Sequence, residues 1–146
     1  MKLCNEVMTK NPACCLPSNN VSIAAQLMKE ENVGSIPVIE STETKKLIGI
    51  VTDRDLAMQV LANGNGQNSK TMNVVDVMTH EVVTCRESDD VQKAVDLMAK
   101  YQLRRMPVVD HNHKIVGIIS QADIATRVDK TEETAEMVKE ISQPTA

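Results

Sequence analysis

This chain is one sequence written twice, and that limits its folds more than any other property. Displaced by 70 positions it lies on itself: Val7-Met8-Thr9 falls on Val77-Met78-Thr79, Leu27-Met28 on Leu97-Met98, and Pro37-Val38 on Pro107-Val108. Between residues 7–39 and 77–109, 11 of 33 positions are identical. Beyond them the displacement is 68, and Gly49-Ile50-Val51-Thr52-Asp53-Arg54-Asp55 falls on Gly117-Ile118-Ile119-Ser120-Gln121-Ala122-Asp123. A loss of two residues that keeps register on both sides belongs in a surface turn, not in a core element. The chain must therefore build one small supersecondary unit two times.

Each copy reads alike. Val21, Ala24, Ala25 and Met28 stand at i, i+3, i+4 and i+7, the apolar stripe of a helix over 20–32, and Val91, Ala94, Val95 and Met98 repeat it. Asn20 and Asp90 are placed as N-caps. Ile36-Pro37-Val38-Ile39 and Met106-Pro107-Val108-Val109 read as short buried strands, with the proline near the strand start where its missing N–H matters least. Residues 47–52 and 115–120 are second β-branched runs, and the polar stretches 40–46 and 110–114 turn each strand pair into a hairpin. A second helix follows (53–63 and 121–127), and a short strand opens each copy near 13–16 and 82–85. The unit is β–α–β–β–α, so the fold class is α/β (α+β). A copy of about 60 residues is small for independent stability, so the two are expected to pack sheet against sheet as one pseudo-twofold body. The expected boundaries are 1–63 and 74–128 for the two units, 64–73 for a polar Gly/Asn-rich linker, and 129–146 for a tail. Ala135, Val138 and Ile141 mark a short amphipathic helix in that tail.

Composition narrows the partners. A formal charge of −4 gives no electrostatic grip on nucleic acid or an acidic membrane. One Tyr, with no Phe or Trp, leaves no platforms for stacking single-stranded bases. The core must be built from aliphatic residues and nine Met. No apolar run is long enough to span a bilayer, and the first residues, Met1-Lys2-Leu3-Cys4-Asn5-Glu6, lack a leader's apolar stretch, so the expected location is the cytoplasm. Cys4, Cys14, Cys15 and Cys85 show no C-x-x-C spacing and have no His near them, which reads as buried thiols and not as a zinc site or disulfide scaffold. His111 and His113 share a hairpin turn without further ligands, so no metal is expected.

The chemistry-bearing pattern is Gly49-x-x-Thr52-x-x-Asp55 and its counterpart Gly117-x-x-Ser120-x-x-Asp123. A hydroxyl three residues before an acid at a strand-to-helix junction is a capping box. The same geometry also suits a nucleotide: N–H groups and a hydroxyl at a helix start attract phosphate. An acid one turn in can accept from both hydroxyls of a ribose in charge-assisted hydrogen bonds. Taken singly the pattern leaves both readings open.

Its double occurrence, each time after an x-Pro-Val strand, resembles the CBS-domain family, specifically a tandem pair (a Bateman module) of the small hypoxic-response type. The likeness is carried by Val7-Met8-Thr9, Ile36-Pro37-Val38 and Gly49 to Asp55 in copy one. In copy two it is carried by Val77-Met78-Thr79, Arg104-Arg105-Met106-Pro107-Val108-Val109-Asp110 and Gly117 to Asp123, and together these span about residues 3–128. The resemblance implies clefts between the two copies that take AMP, ADP or ATP, with S-adenosylmethionine as a further candidate. It implies that Asp55 and Asp123 hold the ribose, that Thr52 and Ser120 contact phosphate, and that Ile36, Met106, Cys14 and Thr84 flank the base. It also implies a disc-like homodimer. Copy two has Arg104-Arg105 where copy one has Gly34-Ser35, and Arg54 faces Ala122 in the alignment, so the two sites should be unequal. Guanidinium suits phosphate, and the alternative is that these arginines are solvated or paired with acids.

The expected function is a regulatory module sensing an adenosine-containing metabolite, with no cofactor required. Its output should pass through dimer rearrangement or to a separate effector protein, because the two copies take up nearly the whole chain. The alternative is a ligand-free dimer acting as an interaction or stress-associated protein. No P-loop, nucleophile elbow or triad spacing occurs, so an enzyme is not expected. Neither nucleic acid nor membrane is an expected partner.

Overall fold

In both copies the helical stripe and the two β-branched runs form the elements their periodicity dictates. The computed structural model describes residues 2–63 and 67–127; the expected tail helix around Ala135, Val138 and Ile141 lies outside them. In chain order the elements are α1 (Cys4–Val7), β1 (Thr9–Lys10), α2 (Val21–Glu31), β2 (Ser35–Ile39), β3 (Leu47–Thr52) and α3 (Asp53–Asp55). A π-helical stretch Leu56–Ala62 and a 3-10 turn Gln67–Lys70 follow. Then come α4 (Val74–Val77), β4 (Cys85–Arg86), α5 (Val91–Tyr101), β5 (Arg105–Val109), β6 (Ile115–Ser120) and α6 (Gln121–Arg127). Asn20 caps α2 by accepting from Ser22 N at 2.9 Å, and Asp90 caps α5 by accepting from Gln92 N at 2.8 Å. Both helices stop on a left-handed residue, Asn32 (φ 53°) and Gln102 (φ 56°). The two-residue length difference falls in the hairpin turn, 40–46 against 110–114.

The chain divides into two compact units that cut across the repeat. One is the continuous stretch Ala13–Val82; the other is composite, made of Met1–Pro12 and the chain from Val83 onward. Each repeat's leading segment thus serves the other repeat's unit. In the continuous unit, Val74 N donates to Asn19 O (2.8 Å), Val75 N to Pro17 O (3.0 Å) and Val21 N to Met72 O (3.1 Å). The composite unit repeats this bond for bond: Cys4 N to Asp89 O (2.8 Å), Asn5 N to Glu87 O (3.0 Å) and Val91 N to Lys2 O (2.9 Å). These single-turn helices α1 and α4, and the pairing that follows them, are additions to the expected β–α–β–β–α unit.

The composite unit has a sheet of order β1-β6-β5-β4, with β4 parallel to β5 and the other pairs antiparallel. The continuous unit builds the same pattern from the β2–β3 hairpin, with bridges Cys15↔Val38 on one side and Ile50↔Thr79 on the other. The prolines sit mid-strand, not near the start as expected, and the register shows why that is tolerated. Ile50, opposite Pro37, exchanges both its backbone bonds with Thr79 (2.9 and 2.8 Å), so Pro37–Ile50 is a pair that needs no N–H. On its other side Pro37 offers only its carbonyl, to Cys15 N at 2.9 Å.

Each unit has its own core. Cys15, Val21, Ala24, Met28, Ile36, Val38, Val51, Val60, Val74, Val77 and Met78 fill the continuous one. Cys4, Val7, Met8, Cys85, Val91, Ala94, Val95, Met98, Met106, Val108, Ile119 and Ile124 fill the composite one. Val7 and Met8, and Val74, Val77 and Met78, are therefore core residues delivered by the exchanged segments. Each contributes about 1.5–3 kcal/mol by burial. Among the described residues, no helix is long and apolar enough to cross a membrane.

Candidate functional site

Where β3 ends, the chain turns directly into α3, and Thr52 and Asp55 close a reciprocal pair. Asp55 N donates to Thr52 Oγ1 (3.0 Å) and Thr52 N donates to Asp55 Oδ2 (2.9 Å). At the end of β6 the same pair recurs: Asp123 N to Ser120 Oγ (3.0 Å) and Ser120 N to Asp123 Oδ2 (3.1 Å). The capping box is thus real in both units. It does not exhaust either acid, because a carboxylate offers about four lone-pair sites and the box takes one. Nor does it exhaust the hydroxyls, which accept in the box and keep their proton to donate.

The strand beside each box supplies its surroundings. Ser35 lies opposite Thr52 and Arg105 opposite Ser120 in antiparallel register. Directly opposed side chains leave a sheet on the same face, so Arg105 emerges on the Ser120 face. Gly34 O accepts from Asp53 N and Arg104 O from Gln121 N, each at 2.9 Å, which ties the residue before the strand to the start of the helix. Thr52, Asp55 and Asp123 are half-buried, Ser120 is buried, and Arg104 and Arg105 are exposed. The two arginines and Asp123 make the composite site the more positive one. Asp53, Asp55 and the exposed Arg54 make the other the more negative.

Other expected residues stand differently. Ile36 and Met106 are 1% and 0% exposed, each inside its own unit's core, so these positions offer a ligand no side-chain surface. Strand alternation puts them inward while Ser35 and Arg105 face out. Cys14 and Thr84 are half-buried on the opening segments, at positions equivalent under the repeat. Arg54 is exposed, and its N–H is taken by Asp53 Oδ1 at 2.8 Å.

Two residues that the sequence did not flag stand around the Ser120–Asp123 pair, one in contact with it and one holding the segment beside it. Thr9, at the start of β1, donates its hydroxyl to Asp123 Oδ1 and Oδ2 at 3.2 and 3.3 Å. Arg127, at the end of α6, donates through Nη1 to the carbonyls of Val7 and Met8, both at 2.9 Å. The repeated Val-Met-Thr motif marked the segment, but only the exchange between units brings it here.

Cys4, Cys15 and Cys85 are buried, Cys14 is half-buried, and no disulfide joins them. Burial pushes the Cys14 and Cys15 thiols up to about 11, with Cys15 adding to the effect at Cys14. The Cys85 thiol is pushed up by its hydrogen bond with Cys4 and by burial. The Cys14, Cys15 and Cys85 thiols are therefore protonated at neutral pH and act as small packing groups, whereas the hydrogen bond with Cys85 pulls the Cys4 thiol down. Among the described residues, no group of three or more His, Cys, Asp or Glu is placed to hold a metal ion. His111 and His113 are exposed in the β5–β6 turn.

Comparison with known proteins matches residues 4–62 and 74–130 to the CBS domain model. The CBS domain-containing protein YhcV of Bacillus subtilis is 36% identical over 143 residues, covering 97% of this chain and 96% of its own length. Among solved structures, Hypoxic Response Protein I with two coordinated zinc ions superposes with a TM-score of 0.76 at 27% identity, covering 87% of this chain and 99% of that one. CBSX2 of Arabidopsis thaliana in complex with AMP superposes with a TM-score of 0.73 at 30% identity, over 86% of this chain and 95% of that one.

Proposed function

The chain belongs to the CBS-domain family, carrying its unit twice, and from that premise we propose that it is a regulatory module binding an adenosine-containing metabolite. The ligand is held at Thr52 and Asp55 in the continuous unit and at Ser120 and Asp123 in the composite unit. The observation that carries the reading is the doubled hydroxyl–carboxylate pair at the end of a hairpin strand, with acceptor capacity left on each acid after capping. The AMP complex of CBSX2 supports the adenosine class. Asp55 and Asp123 accept the ribose hydroxyls in charge-assisted bonds, and Thr52 and Ser120 donate to phosphate. Arg104 and Arg105 bias the composite site toward the more anionic of AMP, ADP and ATP; S-adenosylmethionine, whose sulfonium is positive, is better matched to the Asp53 side. The ligand is bound and not turned over, and the signal passes to a second copy of the chain or to a separate protein through differential affinity for two arrangements.

Thermal unfolding with AMP, ADP, ATP and S-adenosylmethionine tests this. A ligand at a hundred times its Kd adds about 2.7 kcal/mol to the native state. For a chain of this size that is a rise in Tm of roughly 5–10 °C. Arg105→Ala should reduce the ATP shift more than the AMP shift. Equal reduction for both removes the arginine assignment, and no shift with any of the four compounds removes the metabolite reading. The ligand-free dimeric scaffold would then stand, and the engagement of both acids in caps is the observation in its favour.

A further inference from the structure

The two acids are equivalent by sequence but not by surroundings. Asp123 accepts from the Thr9 hydroxyl on both carboxylate oxygens (3.2 and 3.3 Å) in addition to its cap. Thr9 is fixed there from both sides: its backbone pairs with Ile118, and Arg127 holds the carbonyls of the two preceding residues at 2.9 Å each. In the continuous unit Thr79 takes the corresponding place opposite Ile50, yet among the described residues no hydroxyl bond joins it to Asp55. The position that corresponds to Arg127 there is Gln59, which cannot supply the same cationic fork.

We propose that Thr9 gates the composite-unit site: its hydroxyl spans both carboxylate oxygens of Asp123, so a ribose that engages the two oxygens together binds only by displacing it. This rests on the ribose reading above and adds to it a specificity-determining residue outside the hydroxyl–acid motif. Losing the Thr9 bond is a cost every ribose-bearing ligand meets, and one whose phosphates reach Arg105 offsets it best. The continuous unit has no such toll, so a monophosphate should fill Asp55 first and the composite site should favour the polyphosphate. Displacement also frees the hydroxyl that links Asp123 to the segment carrying α1, so occupancy of this site alters how that segment is held.

Isothermal titration of the full chain with AMP and with ATP, in an Asp55→Asn background that silences the other acid, tests the gate. Thr9→Val keeps the side-chain shape and a good strand former while removing the donor, and should tighten AMP binding roughly two- to tenfold, the size of one net hydrogen bond. Thr9→Ser keeps the donor and should leave affinity where it was. Unchanged or weaker binding in Thr9→Val, with the Asp55→Asn parent still binding, overturns the gate and leaves the metabolite reading intact. No heat from either Asp55→Asn or Asp55→Asn/Thr9→Val, while the wild type binds, also overturns it, since the composite unit then holds no site. No heat from the wild type removes both.

Discussion

Gly117→Val should lower stability by about 3 kcal/mol, the upper end of what overpacking usually costs. That corresponds to a fall in Tm of roughly 6–12 °C. Neither Gly117 nor Gly49 has a positive φ, so backbone freedom is not why glycine stands there. Space is the reason. A Cβ on Gly117 would lie 2.9 Å from Thr9 O and 2.5 Å from Met8 Sδ; one on Gly49 would lie 2.9 Å from both Thr79 O and Met78 Sδ. The methionine could swing aside, but the carbonyl is backbone and belongs to the segment paired on that strand. Valine must push β1 off β6 and take Val7 and Met8 partly out of the core. Gly49→Val should cost as much in the continuous unit. Gly34→Ala is the control: its Cβ would meet only the flexible Asp53 carboxylate at 3.0 Å, at an exposed position, and should change stability by about 1 kcal/mol or less. Urea unfolding that places Gly117→Val on the wild-type curve would mean that the leading segment does not lie on β6.

The exchange of leading segments also decides which fragments fold. Residues 13–82 contain the whole core of the continuous unit and should show a cooperative thermal transition by circular dichroism. Residues 1–63 follow the repeat instead and should show none. They lack Val74, Val77 and Met78, whose burial is worth about 1.5–3 kcal/mol each. They also carry α1, whose partners α5, β6 and α6 are missing. Loss on that scale is comparable to the 5–15 kcal/mol that holds a whole domain together. Equal cooperativity in the two fragments would contradict the packing of the exchanged segments.

What local periodicity can encode was readable in advance. Val21 to Met28 and Val91 to Met98 make a 3.6-residue stripe wherever they are placed, and Asn20 and Asp90 cap by a bond two residues long. The hairpins and the site of the length change follow in the same way. The exchange was not readable, because Val7-Met8-Thr9 fits either unit equally well by pattern and its choice is a pairing across more than 100 residues with Gly117 and Ile118. For the same reason Thr52, Asp55, Ser120 and Asp123 could be picked out from a short motif, while Thr9 and Arg127 could not. The family resemblance sets Ile36 and Met106 beside the base, and alternation along the strand turns their side chains into the core. Nothing in the sequence of Leu56–Ala62 accounts for its π-helical winding, whereas Gln121–Arg127 is α-helical.

Mass spectrometry of the small molecules released when freshly purified protein is denatured tests the central claim most directly. Wild type should release an adenosine-containing compound, unaltered, in stoichiometric or near-stoichiometric amount, and the Asp55→Asn/Asp123→Asn double variant, purified in parallel, should release little or none. An equal yield of the same compound from both proteins would show that these carboxylates do not hold the ribose.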